Sequence, residues 1–124
     1  MKFQLDEQQG GNSISRHEIG RVWVNGQPSE QSLLVPWRGE VQAWGPTRFE
    51  SLQAQDFERI LALKPELVVF GSGAKLRFVP PSLYRALIEA RIGLETMDIG
   101  AACRTYNVLA SEGRSVLAAL LIEA

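Results

Sequence analysis

The segment Glu66–Phe78, with the sequence ELVVFGSGAKLRF, decides how the rest of this chain can fold. Its apolar run LVVF is short and continuous, which is typical of a strand covered on both faces of a parallel sheet. Gly71 and Gly73 then interrupt the run, and Lys75 and Arg77 follow at once. The segment therefore predicts a buried strand that ends in a glycine turn. That turn could be a phosphate-binding loop, a nucleophile turn or the plain end of a strand.

The glycine turn matches no standard nucleotide-binding or nucleophile motif. A Walker A loop needs a hydroxyl residue after the lysine, and a dinucleotide-binding loop needs a third glycine, whereas Leu76 occupies that position. A nucleophile elbow around Ser72 needs glycines where Phe70 and Ala74 stand. What remains is a turn at the carboxyl end of a strand, where backbone N–H groups can face an anion. The alternative, commoner at strand ends, is that the glycines only allow the chain to turn.

Helices and strands alternate on both sides of this turn, according to the spacing of apolar residues and the positions of proline and glycine. The predicted elements are helices at residues 51–66, 80–93 and 101–113 and strands at residues 67–70, 94–100 and 114–124. The expected inward-facing positions are Phe57, Ile60, Leu61 and Leu63 on the first helix and Leu83, Leu87 and Ala90 on the second. The last strand is ambiguous, since its alanines and leucines suit a helix better.

The N-terminal half predicts antiparallel strands. Residues 22–24 and 33–35 flank an Asn25-Gly26 turn, a strong hairpin signal, although residues 27–31 lengthen the connection. Pro36 marks a strand end, and residues 40–45 form a further short strand. The order predicts one α/β domain over residues 1–124, whose hairpin half extends the sheet or packs beside it. Residues 1–13 are expected to be loosely held, with Phe3 and Leu5 alternating onto a surface.

Composition indicates an ordinary soluble protein. The 124 residues are 45% hydrophobic and 22% charged, and 13 basic against 14 acidic residues give a net charge of −1. That balance argues against non-specific nucleic-acid binding. The single cysteine and single histidine exclude an internal disulfide and a zinc site of the usual kind. We expect no cofactor, no metal, no transmembrane segment and a cytoplasmic location.

The stretch MDIGAACRTYN, residues 97–107, holds two candidates for chemistry. Asp98 precedes a predicted helix and could cap it or act as a base, and the ordinary preference of aspartate for helix starts favours the cap. Cys103 stands between small apolar residues and an arginine. A lone cysteine in that setting is usually an unreactive core residue.

Three further charged or titratable residues are candidates for binding or structural roles. Arg104 and Arg114 could each bind an anion or pair with Glu112 or Asp98, and the structural pair is favoured for Arg114. His17 has no partner in sequence, so a surface position or a role in supporting the hairpin is expected.

Several stretches together resemble a known family. They are GSGAK at 71–75, MD-x-GAACRTYN at 97–107 and EGR at 112–114 followed by an alanine-rich run. They resemble small domains of unknown function related to mitochondrial complex I assembly factor 3, densely from residue 65 to residue 121 and more loosely in the hairpin half. The resemblance implies a three-layer α/β fold of the Mth938-like type, with a central mixed sheet and an added antiparallel element. It also favours a terminal strand over a terminal helix.

The resemblance implies protein contacts rather than catalysis, since the mitochondrial relatives help to assemble respiratory complex I. Ile99 stands where relatives often carry threonine, so a site built on that hydroxyl is missing here. We therefore expect a non-enzymatic binding or assembly module with a protein partner and no catalytic residues. An exposed tryptophan could add to the contact. One alternative is a binder of a small anion, or a weak enzyme acting on one, and another is a structural domain whose motifs serve only folding. The candidate binding residues are Gly71, Ser72, Gly73, Lys75, Arg77, Asp98 and Arg104.

Overall fold

The computed structural model describes residues 11–123. Its strands are β1 Ile14–Glu18, β2 Arg21–Val24, β3 Gln27–Ser29, β4 Leu33–Val35, β5 Gln42–Ala43, β6 Leu67–Gly71, β7 Gly93–Met97 and β8 Val116–Leu120. Its α-helices are α1 Ala54–Glu58, α2 Arg85–Glu89 and α3 Ile99–Ser111, and 3-10 turns cover Phe49–Ser51, Arg59–Leu63 and Pro81–Tyr84. Most of the segment 1–13 that was expected to be loosely held, including Phe3 and Leu5, lies outside the described residues.

The strands form two sheets. Five strands make a mixed sheet in the order β5-β4-β8-β6-β7, and β1, β2 and β3 make a separate antiparallel sheet. Strand β6 is parallel to both β7 and β8, whereas β4 is antiparallel to β8. The predicted α/β fold is confirmed, with β4 and β5 extending the main sheet while β1–β3 pack beside it.

The core lies on both faces of the five-stranded sheet because successive strand residues point to opposite faces. On β6, Val69 packs with α3 and the small sheet, and Val68 and Phe70 pack on the opposite face with α1 and α2. The predicted three layers follow from this alternation. Trp44 and Phe57 make edge-to-face contacts with Phe70 in the second cluster, at centroid distances of 5.9 and 5.8 Å.

The hairpin prediction is right about the turn and wrong about the second strand. Asn25 and Gly26 have φ values of 53° and 82°, which is the geometry of a tight two-residue hairpin turn. Strand β3 therefore begins directly after the turn and pairs with β2, and the run 33–35 becomes β4 in the other sheet. Strand β1 is an element that sequence reasoning missed.

The two predicted helices that flank β6 are shorter than expected. The first contains only five α-helical residues and continues as a 3-10 turn that stops at Lys64, whose φ of 51° is left-handed, just before Pro65. Phe57 and Ile60 are buried as predicted. The second helix, α2, ends at Glu89, so Ala90 is exposed and its predicted inward position is wrong.

The final apolar run is a strand, as favoured by the family resemblance. All five residues of β8 are buried, since the strand lies between β4 and β6 and is covered on both faces. Two of them, Ala118 and Ala119, point to opposite core clusters. This location explains why helix-forming residues occur in a strand, because tertiary burial outweighs local propensity.

Candidate functional site

The predicted site residues come together at the end of the main sheet where β6, β7 and β8 finish, called here the carboxyl end. Residues 72–79 leave β6 there, α3 begins there after β7, and residues 121–123 follow β8. The N–H of Ile99 donates to the Gly73 carbonyl at 2.8 Å and so joins the loop 72–79 to the start of α3. The parallel arrangement therefore brings distant segments of the chain to one place.

Gly71 and Gly73 are glycines for two different reasons. A Cβ on Gly71 would lie 3.1 Å from the Ala102 Cβ and 3.2 Å from the Ile99 Cα, so this glycine lets α3 pack closely against β6. Gly73 has a φ of +102°, which L side chains rarely adopt. A Cβ there would also lie 2.6 Å from Arg77 Nη2 and 2.8 Å from Glu123 Oε1. Both glycines have a steric role in the turn.

Ser72 is fully buried and holds the loop from inside. Its hydroxyl donates to the Lys75 carbonyl at 2.7 Å and accepts the Arg77 N–H at 2.9 Å. Its own N–H donates to the Met97 carbonyl at 2.9 Å, which ties the loop to β7. The serine hydroxyl is therefore used for loop structure.

Arg77 is the second residue, after Ser72, whose side chain holds the loop in place through bonds within the protein. Its Nη2 donates to the Ser72 carbonyl and to Glu123 Oε1, each at 2.6 Å. Its guanidinium lies 4.6 Å above the Phe49 ring, and the second carboxylate oxygen of Glu123 accepts the Phe49 N–H at 2.8 Å. Sequence reasoning missed Glu123, because a terminal glutamate carries no local signal of a partner 46 residues away.

The outward part of the loop is exposed. Lys75 is exposed and makes no ion pair with another described residue. Leu76 and Phe78 expose 52% and 71% of their surface, and Val79, which follows, is buried. The loop thus presents two apolar side chains and a cation, whereas the side chains of Ser72 and Arg77 bond within the protein.

Asp98, Arg104 and His17 meet around Gly100 at the start of α3. The Asp98 carboxylate accepts the Ala101 N–H at 3.0 Å, so the capping interpretation is confirmed. A Cβ on Gly100 would lie 3.2 Å from His17 Cε1, 3.4 Å from Arg104 Nη1 and 3.4 Å from Asp98 Oδ1. His17, on β1, therefore belongs to the same end of the molecule as the predicted residues.

The remaining candidates have structural positions. Cys103 is buried, and burial raises the pKa of its thiol to about 12, an effect that the neighbouring Arg104 cation partly offsets. Arg114 pairs with Glu66 at 3.6 Å, so its predicted pairing with Glu112 or Asp98 is wrong. The cause is that residues 114 and 66 precede adjacent parallel strands and so lie side by side.

The tryptophans do not supply an exposed contact. Trp44 is buried in the core. Trp23 is partly buried beneath Arg16, whose guanidinium lies 4.7 Å from the ring, and Trp37 donates its indole N–H to the Ala110 carbonyl.

Two other features of the described residues bear on function. No group of three His, Cys, Asp or Glu residues within 11–123 is placed to hold a metal ion. A cavity of about 240 Å³ lies at the opposite end of the main sheet, where its lining includes Trp37, Leu63, Pro65 and Ser115. The predicted residues and this cavity are therefore at different ends of the sheet.

Sequence relatives include proteins named for an assembly role. An uncharacterised protein of Rhodobacter capsulatus is 38% identical over 102 residues, covering 82% of this chain and 73% of its own. The Bos taurus NADH dehydrogenase [ubiquinone] 1 alpha subcomplex assembly factor 3 is 32% identical over 83 residues, covering 65% of this chain and 45% of its own. The chain thus spans about half the length of the assembly-factor relatives it matches.

Solved structures share the fold over most of the chain. A Bordetella parapertussis crystal structure has a TM-score of 0.86 at 31% identity, covering 91% of this chain and 97% of that one. A Bordetella pertussis Mth938-like domain has a TM-score of 0.76 at 25% identity, with 90% and 85% covered. A Bartonella henselae protein named an outer membrane protein has a TM-score of 0.80 at 28% identity, with 94% and 98% covered. Among the helices described for this chain, none is long and apolar enough to cross a membrane.

The family itself is identified by a model that covers most of the chain. That model, described as a protein of unknown function (DUF498/DUF598), matches residues 14–121. The chain therefore belongs to the DUF498/DUF598 family, which has the Mth938-like fold and is related to complex I assembly factor 3.

Proposed function

We propose that the protein is a non-enzymatic binding module that takes part in assembly through protein contacts at the carboxyl end of its main sheet. The observation that carries the proposal is the loop 72–79, which exposes Leu76 and Phe78 while Ser72 and Arg77 brace it from inside.

A braced loop with exposed apolar side chains suits protein recognition for a physical reason. Binding must offset the conformational entropy that side chains and loops lose when they are ordered. The bonds of Ser72 and Arg77 order this loop before any partner arrives. Aromatic side chains are enriched at the centres of interfaces, so Phe78 is the expected anchor.

The names of relatives support the same proposal. The Bos taurus relative is named an assembly factor of NADH dehydrogenase, but it is matched over less than half of its length. Fold-level kinship does not carry a particular partner from one protein to another. The proposal therefore covers an assembly role and leaves the partner to be found.

Co-purification from native lysate tests the proposal. We expect the wild type to retain a protein in stoichiometric amount and Phe78→Ser to lose it. Ile88→Ser is the control, because Ile88 is also an exposed large apolar side chain, at 53%, but belongs to α2 and not to the loop. Equal retention by the wild type and Phe78→Ser, with both variants folded by circular dichroism, would refute the proposal.

A small anion is a second candidate ligand, favoured by one observation. Lys75 and Arg104 are exposed, and neither pairs with an acidic side chain in the part of the chain that the structure describes. An anion at a hundredfold excess over its Kd would raise the free energy of unfolding by about 2.7 kcal/mol. Thermal shift with inorganic phosphate, for the wild type and for Lys75→Gln with Arg104→Gln, tests this candidate. An unchanged melting temperature at millimolar phosphate would exclude phosphate as the ligand.

We further propose a cytoplasmic location. The support is the single cysteine, Cys103, which is buried as a free thiol and suits a reducing compartment. Fractionation of cells that express the tagged protein tests this, and recovery in the membrane pellet would contradict it.

A further inference from the structure

A third exposed apolar side chain belongs to a turn that approaches Glu123, the residue that holds Arg77. Ile19, in the turn between β1 and β2, exposes 90% of its surface. A Cβ on the next residue, Gly20, would lie 3.8 Å from the Glu123 carbonyl oxygen. The carboxylate of the same glutamate holds Arg77 at 2.6 Å. The side chains of Ile19, Leu76 and Phe78, called here the apolar tips, thus stand on neighbouring turns joined through Glu123.

The polar groups near the apolar tips leave an excess of positive charge. Glu123 pairs with Arg77, and Glu18 pairs with Arg16 at 3.1 Å. Asp98, which caps α3 beside Arg104, is a third carboxylate of this surface, so the cations outnumber the carboxylates by one, four against three. The four cations are Arg16, Lys75, Arg77 and Arg104. Lys75 and Arg104 remain exposed without an acidic partner among residues 11–123.

Arg104 belongs to the same surface as the tips, for two reasons. Its guanidinium reaches back along α3 to Gly100, next to Ile99, whose N–H bonds to the loop at Gly73. His17, two residues before Ile19, reaches the same glycine from β1. An arginine beside an imidazole can donate hydrogen bonds to one carboxylate.

We propose that the partner segment carries apolar side chains flanked by carboxylates, with the apolar part on Ile19, Leu76 and Phe78 and the carboxylates on Lys75 and Arg104. This inference rests on the proposed function and names the chemistry of the partner. Two cations are fewer than the roughly four to eight that mark an anionic lipid surface. A loop braced by Ser72 and Arg77 also favours recognition of a shaped protein segment.

Three synthetic amphipathic peptides test the inference. They share the same leucine and phenylalanine positions and carry glutamate, glutamine or lysine at the polar positions. We expect the glutamate peptide to bind at least about fivefold more tightly than the glutamine peptide, because two unpaired cations face it. Amide chemical shifts in NMR spectra should change most near Ile19, Leu76 and Phe78.

Charge variants test the assignment of the two cations. The double variant Lys75→Gln, Arg104→Gln should bind the glutamate and glutamine peptides almost equally, so that the ratio of the two affinities falls towards one. The matched control is Lys64→Gln combined with Arg91→Gln, which removes two exposed cations that precede the starts of β6 and β7, at the opposite end of the sheet, and should keep the preference. Equal affinity for all three peptides, no binding of the glutamate peptide at millimolar concentration, or an unchanged preference in the first double variant would each overturn the inference.

Apolar variants test the extension to the β1–β2 turn. Ile19→Ser should weaken all three peptides by about fivefold or more, whereas Ile88→Ser should not, since truncating a buried apolar contact in an interface costs on the order of 1 kcal/mol. If Ile19→Ser binds like the wild type, the surface does not include that turn and the inference fails.

The remaining outcomes separate this inference from the proposed function. If the peptides show no charge preference but Phe78→Ser still loses the native partner, the inference fails and the proposed function stands. If Phe78→Ser keeps the native partner, the proposed function fails. If the protein sediments with phosphatidylcholine–phosphatidylglycerol vesicles, Phe78→Ser does not, and no peptide binds, the ligand of this surface is a lipid membrane. If the wild type forms a dimer in sedimentation velocity and Phe78→Ser does not, the partner of this surface is a second copy of the chain. Either result would overturn the inference.

Discussion

The loop that follows β6 has an inner part and an outer part with opposite roles. The inner residues, Ser72, Gly73 and Arg77, bond to the sheet, to α3 and to Glu123. The outer residues, Lys75, Leu76 and Phe78, are exposed. The two parts alternate along seven residues of one loop.

This difference shows that residue types typical of active sites can be engaged in bonds that hold a loop in shape. Serine, glycine and arginine suggested chemistry in the sequence, yet the hydroxyl of Ser72 and the guanidinium of Arg77 bond within the protein. The less conspicuous Leu76 and Phe78 are exposed, which is why the proposed partner contact is assigned to them. Changes in the inner part should therefore cost stability, and changes in the outer part should cost binding.

The largest expected effect is that of Gly71→Val, where β6 meets the loop. Two of the three atoms closest to the new Cβ belong to α3, so the helix would have to move away from the sheet. We expect the free energy of unfolding to fall by roughly 3 kcal/mol, measured by urea denaturation. The control is Gly93→Val on β7, where the Leu67 side-chain end is the neighbouring atom, at 3.1 Å, and the cost should stay below about 1 kcal/mol. Similar losses for both variants would contradict close helix packing as the reason for Gly71.

The next effect is that of Gly73→Ala. Its cost should be about 2 kcal/mol, because the left-handed φ is strained for alanine and the new methyl displaces Arg77 from Glu123. Gly39→Ala is a matched control with a φ of +100° and no atom within 4 Å of the new Cβ. It isolates the backbone strain, about 1 kcal/mol. Equal costs in thermal or urea unfolding would show that the Arg77–Glu123 contact adds nothing.

A smaller effect is expected for Arg77→Gln. The Arg77 and Glu123 side chains are 30% and 27% exposed, so solvent screening limits the loss to about 1 kcal/mol. Arg114→Gln removes an ion pair whose side chains are 44% and 52% exposed, and it should change the free energy of unfolding by less than about 0.5 kcal/mol. A double-mutant cycle of Arg77→Gln with Glu123→Gln measures the coupling, and a coupling of zero would argue against the brace.

The smallest effect on stability is expected for Phe78→Ser, within about 0.5 kcal/mol of the wild type, because the side chain is mostly exposed. The neighbouring Val79→Ser is the contrast, since Val79 is buried and its loss should cost about 2 kcal/mol or more. Urea denaturation measures both variants. A large loss of stability in Phe78→Ser would place Phe78 in the inner part and weaken its role as an anchor.

Local signals in the sequence predicted several elements well. Asn25-Gly26 specified a tight turn, Asp98 specified the start of α3, and the run LVVF specified a buried strand. Each depends on contacts within a few residues. The first helix was overestimated, because its apolar spacing also fits a 3-10 turn that ends at Lys64.

Long-range partners could not be predicted in the same way. Arg114 pairs with Glu66 and Arg77 pairs with Glu123, 48 and 46 residues apart, because parallel strands place their ends together. The family resemblance resolved the last strand, where propensity favoured a helix and burial between two strands decides otherwise.

By itself, the sequence determined the alternation of helices and strands after residue 51, the glycine turn after β6, the cap of α3 and the mismatch with nucleotide-binding and nucleophile motifs. Only the tertiary structure decided which side chains of that turn are used internally and which are exposed. It also decided that His17 lies at the start of α3, beside Gly100. The physical reason is that exposure and pairing depend on segments far apart in sequence. The ends of three adjacent parallel strands bring Arg77 to Glu123, and the packing of β1 against α3 brings His17 to Gly100.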